Sequence, residues 1–460
     1  MCRWKMVGLA ALDRTLKIFF FGITMFTSEP SLAQRIERMI SDTPVVDPYS
    51  QILCDQPGAA DLAALMSDRS VTSGLIAAGM PFDDLEPALP SDERVRRSIP
   101  YLKSMRNTSA AWCLFRIFRD LYDFDEPHLT AANYRDLFDK VASTAKDPDW
   151  VRSVLQDRSN IRAVVTGLEN RSVDESRNSD FLSYRLELGH WLRPGFEPLS
   201  LEQPKRSGYL EALETILGDR PTTIEHLERL VFDWLDRTVT GRVRFSSALL
   251  PVDDRLAPPD ESQARLLLNQ ASREPNSSGA EESRLANLVA WSVLKWHHEN
   301  QKAFQIAVGT ETSSGDRASL AGDRETWTSE MARLCSGFSG ARFGLMASSG
   351  VLSSEIAVLA GQIPNVHASG EFGSDFFPIA IERNVGLRVQ VAPMTKVCGF
   401  LSDASCVEWS YGKLQVVRKA MAATLARLVD ARFFEEDEIP PLLRHILHDT
   451  PRKLYDLSET

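Results

Sequence analysis

The chain is poor in the residues that build metal and redox centres. Its 460 residues include eight histidines: His128, His190, His226, His297, His298, His367, His445 and His448. They form neither a His-x-His nor a His-Glu-x-x-His pattern, the spacings that aim two imidazoles at one ion. Adjacent His297 and His298 would diverge by roughly 100 degrees on a helix. The six cysteines, Cys2, Cys54, Cys113, Cys335, Cys398 and Cys406, never pair as Cys-x-x-Cys. That argues against a zinc ribbon or redox dithiol and for reduced, mostly buried thiols in a cytoplasmic protein. A basic stripe is also missing. Lys and Arg number 52 against 63 Asp and Glu, a formal net charge of -11, and Arg94, Arg96 and Arg97 make only a short cluster, so nucleic acid is not an expected partner. Gly370-Glu371-Phe372-Gly373 falls short of a phosphate or dinucleotide loop, and GLMASSG at 344–350 is not a nucleophile elbow. No membrane span is expected either. The apolar run TLKIFFFGITMF at 15–26 is interrupted by Lys17 and is shorter than the about 20 residues a span needs. Residues 1–24 read as an extension that packs as a strand or short helix, with a signal peptide or a start at Met25 as alternatives.

What is present suits a folded α/β protein. The hydrophobic fraction is 43% and the charged fraction 25%, enough apolar material to offset chain ordering. After a short amphipathic helix from Ser31 to Met39, continuous apolar runs at 44–47, 161–167, 243–249, 303–309, 341–347, 365–370 and 396–402 have the character of parallel strands buried under helices. A weaker strand around 70–76 would bring the set to eight. The expected architecture is a distorted (β/α)8 TIM barrel with helical insertions, spanning residues 41–460 after an N-terminal extension and short helix at 1–40. Residues 85–155 repeat apolar side chains at three- and four-residue intervals, as in AWCLFRIFRDLYDF at 111–124, and read as a mainly helical insertion covering one end of the barrel. The stretch 251–278 reads as an inserted loop and 309–322 as a loop of the active face. In such barrels, chemistry is placed at the carboxyl ends of the strands.

One segment carries a more specific signal. CGFLSDASCVEWSYGK, from Cys398 to Lys413, resembles the Gly-Phe, Ser-Asp-Ala, Glu-Trp and Tyr-Gly-Lys segment of the uronate isomerases, a branch of the metal-dependent amidohydrolase-like barrels. The likeness continues through HDTPRKLYDL at 448–457, PNVHASG at 364–370 and FQIAVG at 304–309, and more weakly VVDPYSQI at 45–52. It implies a distorted (β/α)8 barrel that interconverts a hexuronate and its keto sugar. The departures fall on the metal site. The family's His-x-His at the end of strand one is replaced by Asp47-Pro48-Tyr49, and its strand-five Gln-x-His by Gln305-Ile306-Ala307. LMSDRSVTSGLIAAGM at 65–80 likewise lacks most of the family's polar positions around the sugar acid and begins Asp68-Arg69-Ser70. No cofactor is therefore expected with assurance from the pattern; were a divalent metal bound, Asp47 and Asp403 are the ligands left to hold it.

Proton transfer next to a carbonyl needs a base, a donor and a means of stabilising the intermediate. The resemblance makes Asp403 the base, with Tyr49 as donor and Asp47 as second acid–base group. Arg69 or Arg106 would hold the sugar carboxylate in a two-pronged contact, and Gln305, His367, Glu408 and Trp409 are further candidates for substrate contact. Each has a plainer alternative. Asp403 can cap the next helix, Glu408 and Trp409 can cap and pack, Arg106 can pair with a nearby carboxylate, and His367 can be a satisfied barrel-mouth side chain. The expected function is a uronate isomerase-like activity centred on Asp403, the alternative an inactive or repurposed small-molecule-binding or structural homologue. A small sugar acid and a second copy of the chain are the expected partners.

Overall fold

The computed structural model describes residues 30–168, 181–192, 209–250, 256, 260, 262, 264–268, 279–308, 324–347, 350–371 and 377–457. The apolar segment at 15–26, the loop at 309–322 and most of 251–278 lie outside them. Seven strands, β1 (Val45–Ser50), β2 (Ile161–Leu168), β3 (Leu182–Glu187), β4 (Val243–Leu250), β5 (Ala303–Val308), β6 (Arg342–Ala347) and β7 (Val366–Glu371), form one sheet in sequence order. Every neighbouring pair is parallel, and the sheet curls into a distorted, open barrel with helices outside it. Among the described residues no helix is long and apolar enough to cross a membrane.

Two expected strands are corrected, and one is added. Residues 70–76 belong to the helix Arg69–Ala77, because Asp68 caps its first turn by accepting from Ser70 N at 2.9 Å and Val71 and Leu75, four residues apart, are its buried face. The segment 396–402 lies where an eighth strand would close the barrel but keeps only an isolated pairing, Ala368 with Val397. Gly399 N turns away from the sheet to donate to Ile446 O at 2.7 Å, which diverts the ladder. The gap to β1 is closed by single bonds: Ser402 N to Asp47 Oδ1, Asp403 N to Tyr49 O and Gln51 N to Ala404 O, each 2.9 Å. The added strand is β3, whose Arg185 and Glu187 interrupt the apolar run by which the other strands announce themselves.

The amino end of the barrel is plugged. Leu454, Tyr455 and Leu457 enter it and pack with Val46, Ala163, Val165, Phe245, Ala303 and Cys398. The Tyr455 ring stacks on Phe245 at 4.2 Å, and its hydroxyl receives Gln305 Nε2 at 2.9 Å and shares a short hydrogen bond with Ser369 Oγ. Gly344 leaves room for that hydroxyl, since a Cβ there would lie 2.2 Å from Tyr455 Oη. On the outside, the helix Leu32–Asp42 lays Ile36 and Ile40, both fully buried, against the 24-residue helix Val407–Asp430.

Gly344→Ala is expected to destabilise the protein by about 1–3 kcal/mol, because a ring stacked on one side and hydrogen-bonded at its tip cannot give way. Tyr455→Phe, which loses the two hydroxyl bonds but keeps the stack, should cost about 1–2 kcal/mol. Chemical denaturation of both variants measures this; an unchanged midpoint for Gly344→Ala would show that the plug is not held there.

Candidate active site at the carboxyl end of the barrel

The polar residues of β1, β3 and the closing segment converge at the other end. In Asp47-Pro48-Tyr49 the proline removes a backbone donor and the pairing with β2 is irregular between Asp47 and Ser50. Asp47 is fully buried. Its Oδ1 accepts from Ser402 N at 2.9 Å and Tyr49 N at 3.4 Å, whereas Oδ2 has no partner. Burial pushes its carboxyl up to about 6, with the Ser402 bonds opposing the rise. Tyr49 is half-buried, and burial lifts its phenol above the ordinary range against the pull of Arg185.

Arg185 is as fully buried as Asp47. Its Nη1 donates to Ser50 O at 2.8 Å and Val165 O at 3.2 Å, its Nη2 lies 2.7 Å from Glu187 Oε1, and its guanidinium covers the Tyr49 ring at 3.8 Å. Gly167 on β2 makes space for that ion pair, since a Cβ there would approach Glu187 Oε1 to 2.9 Å. Asp403 ends the closing segment with φ at 44°, a left-handed conformation that aspartate tolerates better than most residues. Burial raises its carboxyl, and Lys413 and Arg185 oppose the rise. Lys413 Nζ donates to Asp403 O at 3.0 Å and lies 3.7 Å from Asp68 Oδ2, so the second turn of the helix Val407–Asp430 meets the capping residue of the helix Arg69–Ala77 beside Asp403.

The remaining candidates divide. Gln305 is buried in the barrel interior, its Nε2 reaching Tyr455 and, at 3.5 Å, Pro48 O, with Oε1 unpartnered. Arg69 is exposed on the turn that Asp68 caps. Glu408 is fully buried and accepts from Ala59 N at 3.1 Å, Tyr122 Oη at 3.1 Å and Trp150 Nε1 at 2.8 Å, tying the loop after β1 to the inserted helices. Trp409, equally buried, donates to Leu65 O at 2.8 Å. Both serve packing. His367 is the second residue of β7, at its amino end, where burial and Lys396 push it down to about 3; it does not reach the carboxyl-end site. Arg106 stacks on Phe115 at 3.9 Å and lines a separate groove of about 360 Å³ between the helices Ser109–Tyr122, Pro378–Val391 and Val407–Asp430. Arg185, Glu187 and Lys413 were not anticipated. The signal available for the first two was a pair of charges spaced for one face of SYRLELG at 183–189.

The residues do not fit a divalent metal of the expected kind. Ala307 supplies no donor and packs with Met346, Leu401, Tyr49 and Leu249 in an apolar cluster, and Tyr49 lies against a guanidinium. Among the described residues no group of three or more His, Cys, Asp or Glu is arranged to hold a metal ion.

Solved structures match the chain over nearly its whole length. The uronate isomerase of Thermotoga maritima superposes with a TM-score of 0.75 at 12% identity, covering 92% of this chain and 97% of that one. The glucuronate isomerase of Caulobacter crescentus gives 0.76 at 17% identity, covering 96% and 98%. This chain has the uronate isomerase fold. The uronate isomerase of Bacillus halodurans agrees, with 0.67 at 16% identity, covering 93% and 97%. No protein-family model and no curated protein matches the chain. Within the uronate isomerase fold, Asp403, Asp47 and Tyr49 stand together at the carboxyl end of the barrel, the end at which such barrels carry their chemistry.

Asp47→Asn is expected to stabilise the protein in a pH-dependent way. The folded carboxyl keeps its proton to about pH 6, whereas an unfolded aspartate loses it near 3.9. Its contribution is therefore fully present below the lower value and is lost as pH rises through the upper one. Above pH 6 the variant should exceed the parent by about 3 kcal/mol, the gap closing towards pH 4. Buried His297 and His367, both pushed down to about 3, impose the opposite slope as pH falls below about 6.5, but they act equally on both proteins and cancel in the difference. A difference that stays flat from pH 4 to 7 would refute the assignment.

Proposed function

We propose that the chain binds a hexuronate at the carboxyl end of the barrel and interconverts its aldose and keto forms by proton transfer through Asp403. The observation that carries this reading is the direct bonding of the Asp403 and Tyr49 backbones at 2.9 Å, with the adjacent Ser402 held by Asp47. Base, donor and second acid thereby share one rigid junction. The raised Asp403 carboxyl is better matched to taking a carbon-bound proton than an ordinary surface aspartate. In the forward direction Asp403 removes the proton from the carbon beside the aldehyde, and Tyr49 donates a hydrogen bond to the carbonyl oxygen on which charge develops. The enediol then takes the proton back from Asp403 at the former aldehyde carbon. Asp47, titrating near neutrality, exchanges the hydroxyl proton between the two oxygens. No atom is gained or lost. Arg69, exposed on the turn that Asp68 caps, holds the sugar carboxylate.

A binding reading without turnover has its own support in the apolar cluster of Ala307, Met346, Leu401 and Leu249 around Tyr49. The two readings separate in one experiment. Incubation with a panel of hexuronates in deuterated water, followed by proton NMR, should show keto-sugar formation and solvent deuterium at the carbon beside the carbonyl. Asp403→Asn, chosen because asparagine also tolerates the left-handed backbone, should lower kcat by roughly 10²–10⁴ with little change in KM. Calorimetric binding with neither conversion nor exchange would favour the binding reading; absence of both binding and conversion would remove the sugar-acid assignment.

A further inference from the structure

Where the strand-one and strand-five positions of this fold carry Tyr49 and Ala307, the barrel mouth holds a buried guanidinium instead of a set of metal donors. We infer that Arg185 is a positioning residue which supplies the fixed positive charge of this site, holding Tyr49 for catalysis so that the isomerisation runs with no divalent cation. The inference rests on the proposed function and deepens it. Three observations support it.

Arg185 is held from two sides. It is fully buried, its Nη1 is shared between Ser50 O at 2.8 Å and Val165 O at 3.2 Å, and Nη2 lies 2.7 Å from Glu187 Oε1, while Nε has no hydrogen-bond partner. Its planar face is turned to Tyr49, at 3.8 Å from the ring centroid. A desolvated cation at that distance holds the ring by its quadrupole and draws electron density from the phenol, opposing the rise that burial, Glu187 and Asp403 impose on the hydroxyl. The counter-charge does not cancel this. Glu187 has 29% of its side chain exposed, whereas Arg185 has 0%, so water screens the carboxylate more than the guanidinium. The surroundings also disfavour an inorganic cation: the side chains of Ala307, Met346, Leu401 and Leu249, which pack with Tyr49, present no oxygen or nitrogen donor, and hard or borderline cations require several oxygen or nitrogen ligands. The reaction itself needs only a stabilised oxyanion and a proton shuttle, which a phenol backed by a fixed cation and a carboxylate provide.

The test uses the full chain and reads turnover and metal content separately. Protein stripped with a chelator should isomerise hexuronate as fast as untreated protein. After equilibration with manganese or zinc and desalting, it should retain under about a tenth of an ion per chain beyond what Asp403→Asn retains. Arg185→Met should lose roughly 10²–10³ in kcat while KM moves less than about threefold, and Arg185→Lys, which keeps the charge but not the fork, should stay within about tenfold of the parent. A role confined to holding β1 against β2 would instead damage both variants alike. If Arg185→Met does not fold, the lysine variant and the metal count decide the matter. The inference is overturned by one bound ion per chain that disappears in Asp403→Asn, by activity that needs added metal, or by full activity in Arg185→Met. A parent protein that neither binds nor converts any hexuronate would remove the proposed function and this inference together; a parent that converts only with metal would remove this inference alone.

Discussion

The barrel is closed at its last seam by a side chain. Where an eighth strand would offer β1 a ladder of backbone bonds, Asp47 accepts Ser402 N with its carboxylate, and the backbones of Tyr49 and Gln51 take up the next two residues. Everything at the carboxyl end depends on that seam. It fixes Asp403 beside Tyr49, sets the point from which the long helix Val407–Asp430 departs, and buries the Asp47 carboxyl group completely. The same bond that shapes the site therefore also leaves it with an acid held near neutrality.

The two ends of the barrel solve opposite problems. At the amino end, the Tyr455 plug fills the interior, satisfies its own hydroxyl through Gln305 and Ser369, and meets a glycine cut to its shape. Toward the carboxyl end, Asp47 Oδ2 is buried without a hydrogen-bond partner and Asp403 occupies a left-handed backbone conformation. A buried acceptor without a partner and a strained backbone each cost stability. Gln305 belongs to both ends, its amide bonded to the plug and its carbonyl oxygen turned to neither.

Charge placement follows the same division. Glu408, deep in the structure, is surrounded by three donors and binds the inserted helices to the loop after β1. Arg185 is equally deep, but its face is spent on an aromatic ring that borders the site. A buried charge held by backbone carbonyls on one side and directed at a phenol on the other is costly as pure architecture.

The sequence by itself determined the α/β class, six of the seven strands and the helical insertion, because apolar periodicity is a local property. The likeness at 398–413 named Asp403 and the weaker one at 45–52 named Asp47 and Tyr49, two segments that the fold brings side by side. Tertiary structure alone decided which polar residues meet. It turned 70–76 into a helix through an Asp68 cap, sent His367 to the far end of its strand, placed Arg106 in a different groove, and buried Glu408 and Trp409 with hydrogen-bond partners of their own. It also revealed β3, hidden because Arg185 and Glu187 break the apolar run, and set Arg185 over Tyr49. The physical reason is distance along the chain: the bond that assembles the site joins residues 355 positions apart, and whether a buried polar side chain faces a ligand, a helix end or another strand is settled only when such distant segments pack.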